Sequence, residues 1–247
     1  MGHLHRYLDQ TAGLLLNPAL FSSLVIGVPL RSYQLQVAQA VLDSVLNERG
    51  LTFAVMMSRQ AGKNETAAQI EALLLLAFQH SGGFLVKASP TFQPQTINSI
   101  QRLQARLQNP LTRGRWHRER GYMLRLGEAH AIFLSAQPEA NVMGATASIL
   151  LEADEAQDIS EEKWDKEFRP MGASTNVTTV LWGTAWTPDT LLAHTVRALR
   201  RLEEADGVQR VFAVPWPRVA AEVPAYRAYV QGEIARLQGF KGTAAEE

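Results

Sequence analysis

The sequence predicts an α/β protein whose mostly parallel sheet is covered by helices on both faces. Short apolar runs alternate with stretches of helical period along nearly the whole chain, the pattern of strand–helix–strand units. With 247 residues, 46% of them hydrophobic, the chain has enough for one large core or two small ones. One apolar run, 51–57, passes through a turn of small and polar residues straight into a helix.

The elements follow in order. Residues 31–48 place Leu35, Val37, Ala38, Val41, Leu42, Val45 and Leu46 on one stripe at helical spacing. The run 51–57 reads as a buried strand, and 63–80 as a helix apolar on nearly all sides and therefore buried. A second strand is expected at 83–88 and a second helix at 93–108. Residues 122–126 and 129–134 flank Gly127 as a hairpin. Strands are expected at 148–153, 177–182 and 208–214. A helix over 189–204 stops at Asp206-Gly207, and a last helix spans 220–237.

Lysine plus arginine and aspartate plus glutamate both number 24, so the net charge is zero. A general nucleic-acid binder is usually basic, so any DNA contact must come from local patches or from other subunits. The absence of cysteine excludes disulfides, thiolate zinc sites and a cysteine nucleophile. Asn17-Pro18 and Ser22-Ser23 interrupt the apolar stretch 11–30, which makes it a poor membrane span; a packed helix ending near Asn17-Pro18 is expected instead. Arg6 stands where a myristoylation signal at Gly2 needs serine or threonine. No repeat or low-complexity linker is present. The expected organisation is a helical extension over 1–30, a main domain over 31–240 and a frayed tail over 241–247.

Two motifs carry the chemistry. In Ser58-Arg59-Gln60-Ala61-Gly62-Lys63-Asn64-Glu65 the turn amides and the helix N-terminus form an anion cradle. Gly62 admits a phosphate close to the backbone, and Lys63 reaches the β- and γ-phosphates. The match to the usual phosphate loop is imperfect, with Met57 at the first glycine position and Asn64 at the hydroxyl position. Downstream, the apolar strand at 149–153 ends in Asp154-Glu155. Asp154 is expected to hold Mg²⁺ through water, and Glu155 to orient and deprotonate the attacking water. Glu152 interrupts that apolar run: either the strand faces an edge there, or Glu152 pairs with a cation.

The loop 58–65 resembles the deviant Walker A motif of tailed-bacteriophage terminase large subunits, and Asp154-Glu155-Ala156-Gln157 resembles their Walker B strand end. The resemblance covers roughly 30–215 by motif order. It implies a P-loop ATPase fold and Mg²⁺-dependent ATP hydrolysis that drives double-stranded DNA into a procapsid. It also implies work in the infected host's cytoplasm with a portal protein and a small subunit, as a ring when assembled and a monomer in isolation. Arg59 would be a cis-acting cation. Gln34 resembles the adenine-reading glutamine, and Gly183-Thr184 the coupling motif. Many members carry an arginine finger where this chain has Met143; Arg113, Arg115, Arg118 and Arg120 are then candidates for a finger acting in trans or for DNA contact, against the plainer reading of a solvated loop. Arg197, Arg200 and Arg201 read as surface. The nuclease domain usual in the family is not expected here. Two other readings stay open: a helicase-like ATPase fragment, and a nucleotide-binding module that has lost hydrolysis.

Overall fold

The computed structural model of the protein describes residues 16–140, 142 and 144–243, with 238–243 described by backbone alone. The helix expected before Asn17, the end of the expected tail at 244–247, and Met143 lie outside the described residues. At Asn17 a helical stretch begins: its side chain accepts from the amides of Ala19 and Leu20, and the turns Pro18–Leu20 and Phe21–Ile26 follow.

Eight strands form one sheet: β1 Thr52–Met57, β2 Gly83–Ser89, β3 Trp116–Glu119, β4 Met123–Leu126, β5 Ala129–Ser135, β6 Leu150–Ala153, β7 Thr178–Gly183 and β8 Val211–Val214. Their order across the sheet is β3-β4-β5-β2-β6-β7-β1-β8. From β5 to β8 every pairing is parallel, while β4 runs antiparallel to both its neighbours. Strand β7 therefore separates β1, which leads into the glycine-lysine turn, from β6, which leads into the carboxylates.

Period-two alternation divides the strand side chains between two cores. Phe53, Val55, Leu85, Phe133 and Trp182 face one side, under the helices α1 Ser32–Leu46, α2 Lys63–Phe78 and α3 Ile97–Leu107. Ala54, Val86, Leu151 and Leu181 face the other. There they meet α4 Leu191–Asp206 and the irregular helical stretch 161–172, whose Trp164 and Phe168 rings stack at 5.8 Å. Helix α2 lies against the sheet with α1 and α3 beside it, which is why its sequence is apolar on nearly all sides. Helix α4 ends where Gly207 takes a left-handed φ of 71°, which its missing Cβ permits.

Three expectations are corrected, and one open alternative is decided. The last helix is two, α5 Trp216–Glu222 and α6 Pro224–Thr243; Val223 is extended, because the Pro224 ring disfavours helical backbone in the residue before it. Helix α6 also runs on into the segment expected to be a tail. The segment around Arg113–Arg120, read as a loop, contains β3, which pairs residue for residue with β4. Glu152 does not face an edge: β6 lies between β2 and β7, and Glu152 is fully buried.

Candidate nucleotide site

The phosphate-loop sequence is held from three sides before any ligand is considered. Ser58 donates from both its amide and its hydroxyl to the carbonyl of Val214 on β8, at 3.0 and 3.1 Å. Tyr33 donates its hydroxyl to the Ala61 carbonyl at 3.0 Å. Gln34 donates to the Gly62 carbonyl at 3.1 Å and accepts from the Arg31 amide at 2.8 Å. Burial raises the Tyr33 pKa above its ordinary value, with the Arg31 guanidinium opposing, so that phenol stays a donor. Gly62 has φ 89°, and a Cβ there would sit 2.4 Å from Gln34 Nε2. The left-handed backbone favours glycine here, and any side chain would also have to displace the Gln34 amide. Gln60, at φ 63°, is a second left-handed residue in the turn.

Past the loop, α2 opens with Lys63, Asn64 and Glu65, and its first amides have no intrahelical acceptor. Lys63 Nζ lies 2.6 Å from Glu155 Oε1 and 3.8 Å from Asp154 Oδ1, an ion pair without the angle of a hydrogen bond. Asp154 is almost wholly buried. Its Oδ2 accepts from Ser99 of α3 at 3.3 Å, and its Oδ1 from the Glu155 amide at 3.1 Å. Glu155 takes a left-handed φ of 47°, which turns its carboxylate out of the strand direction and into the cleft. Gln157 donates to Glu155 Oε2 at 2.8 Å and accepts from the Thr184 amide at 3.2 Å. The strand ends of β1, β6 and β7 thereby meet at one cleft of about 600 Å³. Its wall includes the whole of 58–65 together with Arg102, Glu155, Thr184 and Trp186.

The residues singled out from sequence distribute clearly. Ser58, Arg59, Gln60, Ala61, Gly62, Lys63, Asn64, Glu65, Glu155 and Thr184 line the cleft, and Asp154 and Gly183 abut it. Arg59 is exposed at its lip. Gln34 departs from its expected role as an adenine reader: it is 1% exposed, and its amide is spent on the Arg31 and Gly62 backbone. It braces the loop instead. Arg113, Arg115 and Arg118 donate to the nearby carbonyls of Gln108, Leu111 and Gly121. Six strand spacings separate β3 from β1, roughly 29 Å at about 4.8 Å each, so the arginine cluster is remote from this chain's own cleft. Arg197, Arg200 and Arg201 are exposed on α4. Sequence reasoning missed Tyr33, Ser99, Arg102 and Trp186, which come to the site only through tertiary packing. Gln157 was part of the carboxylate motif, but its link between Glu155 and Thr184 was not foreseen.

Under the cleft, Glu152 meets the buried Lys87 across β2 and β6, whose register pairs the two residues. Burial raises the Glu152 pKa well above the ordinary range, with Lys87 opposing and Glu71 adding to the rise. For Lys87, burial works against the charge, but Glu71, Glu152 and Asp154 outweigh it and keep the amine protonated.

Mg²⁺ needs few protein ligands when phosphate oxygens and water supply the rest. Asp154 offers a carboxylate, and Asn64 Oδ1 is a buried acceptor with no hydrogen-bond partner among the described residues. This donor set suits a hard divalent cation.

A parallel sheet with a glycine-lysine turn after β1, a carboxylate pair after β6 and one strand between them is a P-loop NTPase fold. Among solved structures, its neighbours are ATPase domains of phage large terminases. The HK97 bacteriophage large terminase superposes with a TM-score of 0.59 at 16% identity, over 82% of this chain and 43% of that one. The large terminase ATPase domain of Thermus phage P74-26 gives 0.55 at 18%, over 68% of each chain. The large terminase of a thermophilic bacteriophage in complex with ADP gives 0.54 at 16%, over 75% of this chain and 45% of that one. The match therefore spans less than half the length of the HK97 and ADP-bound terminase chains. No family model matches the sequence, and no curated protein matches it.

Proposed function

We propose that this chain is the ATP-hydrolysing motor domain of a phage terminase, which drives double-stranded DNA through a portal into a procapsid. The observation that carries the reading is the meeting of Lys63, Asp154, Glu155 and Thr184 at the ends of three neighbouring strands, within a terminase-type fold. Zero net charge and the remoteness of the arginine cluster favour action as a ring in the infected cell, where subunits, a small terminase subunit and DNA complete one another.

The chain's own residues divide the work. The first amides of α2 and the Lys63 ammonium receive the phosphates. Asp154, through water, and Asn64 would hold Mg²⁺, which would supply charge neutralisation at the phosphates. Glu155 orients the attacking water and accepts its proton. Gln157 fixes the far oxygen of that carboxylate and links it to Thr184, so a change at the γ-phosphate reaches β7. Arg59 is the cis cation nearest the loop.

Calorimetry of Mg·ADP and ATP binding tests the site, and hydrolysis in the presence of portal and DNA tests the motor. Asp154→Asn and Asn64→Ala are expected to weaken the Mg²⁺ dependence of binding while leaving metal-free binding in place. A chain that binds no nucleotide sinks the reading. A nucleotide-binding module without turnover is favoured by one feature, the asparagine in place of a hydroxyl at position 64; binding without hydrolysis in the assembled motor establishes that alternative.

A further inference from the structure

One buried polar group beneath the cleft is not used by the steps above. Glu71, Lys87, Glu152 and Trp182 are each no more than 2% exposed. Lys87 Nζ donates to Glu71 Oε1 at 2.8 Å, and Trp182 Nε1 donates to Glu152 Oε1 at 2.7 Å. Lys87 and Glu152 are register partners across β2 and β6. Alternation puts Lys87, Glu152 and Trp182 on the face beneath α2, the same face as Leu85, Leu150 and Val180.

The four residues come from four elements, and three of these elements carry part of the cleft. Helix α2 starts at Lys63 and reaches Glu71 about two turns later. Strand β6 runs from Glu152 directly into Asp154 and Glu155, and β7 runs from Trp182 into Thr184. Strand β2, carrying Lys87, lies against β6 and leads towards α3 and Ser99. Burying charge here costs much of what the ion pair returns, and replacing the whole pair by apolar groups of similar volume is often neutral or stabilising, whereas removing one partner alone strands the other. Stability does not account for the cluster. Direction does: hydrogen bonds need angle as well as distance, and a one-residue slip of β6 would turn Glu152 onto the opposite face.

We propose that the Glu71–Lys87 and Glu152–Trp182 pairs, set side by side by the register of β2 and β6, act as a positioning bridge for α2, β6 and β7, so that Lys63, Glu155 and Thr184 converge on one phosphate. The bridge acts on turnover and is dispensable for folding and for nucleotide affinity. This role rests on the reading of the cleft as an ATP site.

Two variants of the full chain test it. The double variant Glu71→Leu/Lys87→Met replaces the whole ion pair by apolar groups of similar volume, and Trp182→Phe keeps most of the ring and removes the N–H given to Glu152. Both are expected to melt near the wild-type temperature and to bind Mg·ADP with wild-type affinity. At saturating ATP each turns over at least about tenfold more slowly with KM unchanged, the signature of an interaction needed in the transition state. A spectroscopic signal follows the same contact without turnover. The ¹⁵N-labelled Trp182 indole resonance, assigned by its loss in Trp182→Phe, moves on adding Mg·ADP to the wild type and stays in place in the double variant. Wild-type kcat in both variants overturns the bridge. So does a rate loss that only tracks unfolding, or failure of both variants to fold. A wild-type chain that binds no Mg·ADP overturns the ATP-site reading and the bridge with it. Wild-type binding together with unimpaired variants overturns the bridge alone.

Discussion

Lys63 is the side chain on which nucleotide affinity is expected to turn. A charge-assisted hydrogen bond to phosphate contributes about 2 kcal/mol net, so Lys63→Ala should weaken ATP binding by roughly thirtyfold or more in calorimetry. Unchanged affinity in a folded variant would remove the phosphate-loop assignment. Glu155→Gln keeps the shape of the side chain and loses the base. It is expected to bind Mg·ATP and to lose about 10²-fold to 10⁴-fold in hydrolysis, the usual contribution of a positioned base; wild-type turnover in the assembled motor contradicts the role. Both residues stood out in the sequence because each follows a buried strand, Lys63 after the turn from β1 into α2 and Glu155 just past β6. Gln34 was legible as important and misread as to role. A glutamine amide suits an adenine edge and a backbone equally well, and only its burial and its bond to Gly62 decide between them.

At the scale of elements, the brace from α1 to the phosphate loop invites a direct test. Gly62→Ala forces an L side chain to φ 89° and into Gln34 Nε2. Strained backbone of this kind costs on the order of 1–3 kcal/mol, so chemical denaturation should show a loss in that range, with nucleotide affinity falling further than stability. A larger loss of affinity than of stability marks the turn itself; equal losses mark a general defect. On α3, Leu103 is fully buried, and Leu103→Ala is expected to destabilise by about 2–5 kcal/mol. Period and punctuation located most helices and strands, as with the stripe of α1 and the stop at Gly207. They failed where polar sequence is paired by geometry alone. Strand β3 reads Trp-His-Arg-Glu, with no apolar alternation to announce it, and forms because β4 supplies a partner. The break at Val223 was readable from Pro224, but the apolar run on either side masked it.

For the whole molecule, the distance between the arginine cluster and the cleft matters most. β3 lies six strand spacings from β1 and four from β6, roughly 29 and 19 Å at about 4.8 Å per strand, which sets Arg113, Arg115, Arg118 and Arg120 far from this chain's phosphate loop. In the ring proposed above, the same separation would let one subunit's β3 edge face the next one's cleft. An arginine supplied in trans accelerates phosphoryl transfer by about 10³-fold or more, so turnover per subunit should rise steeply on assembly with portal and DNA. Mixing Lys63→Ala subunits with subunits altered at one of these arginines gives the answer. Recovered hydrolysis in the mixed ring identifies that arginine as acting in trans. If no mixture recovers activity and the isolated chain already runs at the assembled rate, the trans assignment fails and Arg59 remains the cation to vary. No length of sequence shows such a relation, because the separation exists only once the strand order β3-β4-β5-β2-β6-β7-β1-β8 is known.

The 2.6 Å contact between Lys63 and Glu155 has a consequence for the idle enzyme. Under the function proposed above, the ammonium meant for phosphate is paired with the carboxylate meant for water. An incoming triphosphate would then compete with Glu155 for the lysine and, on taking it, would free the carboxylate. Substrate arrival and base release would be a single event, and the unloaded site would be inert.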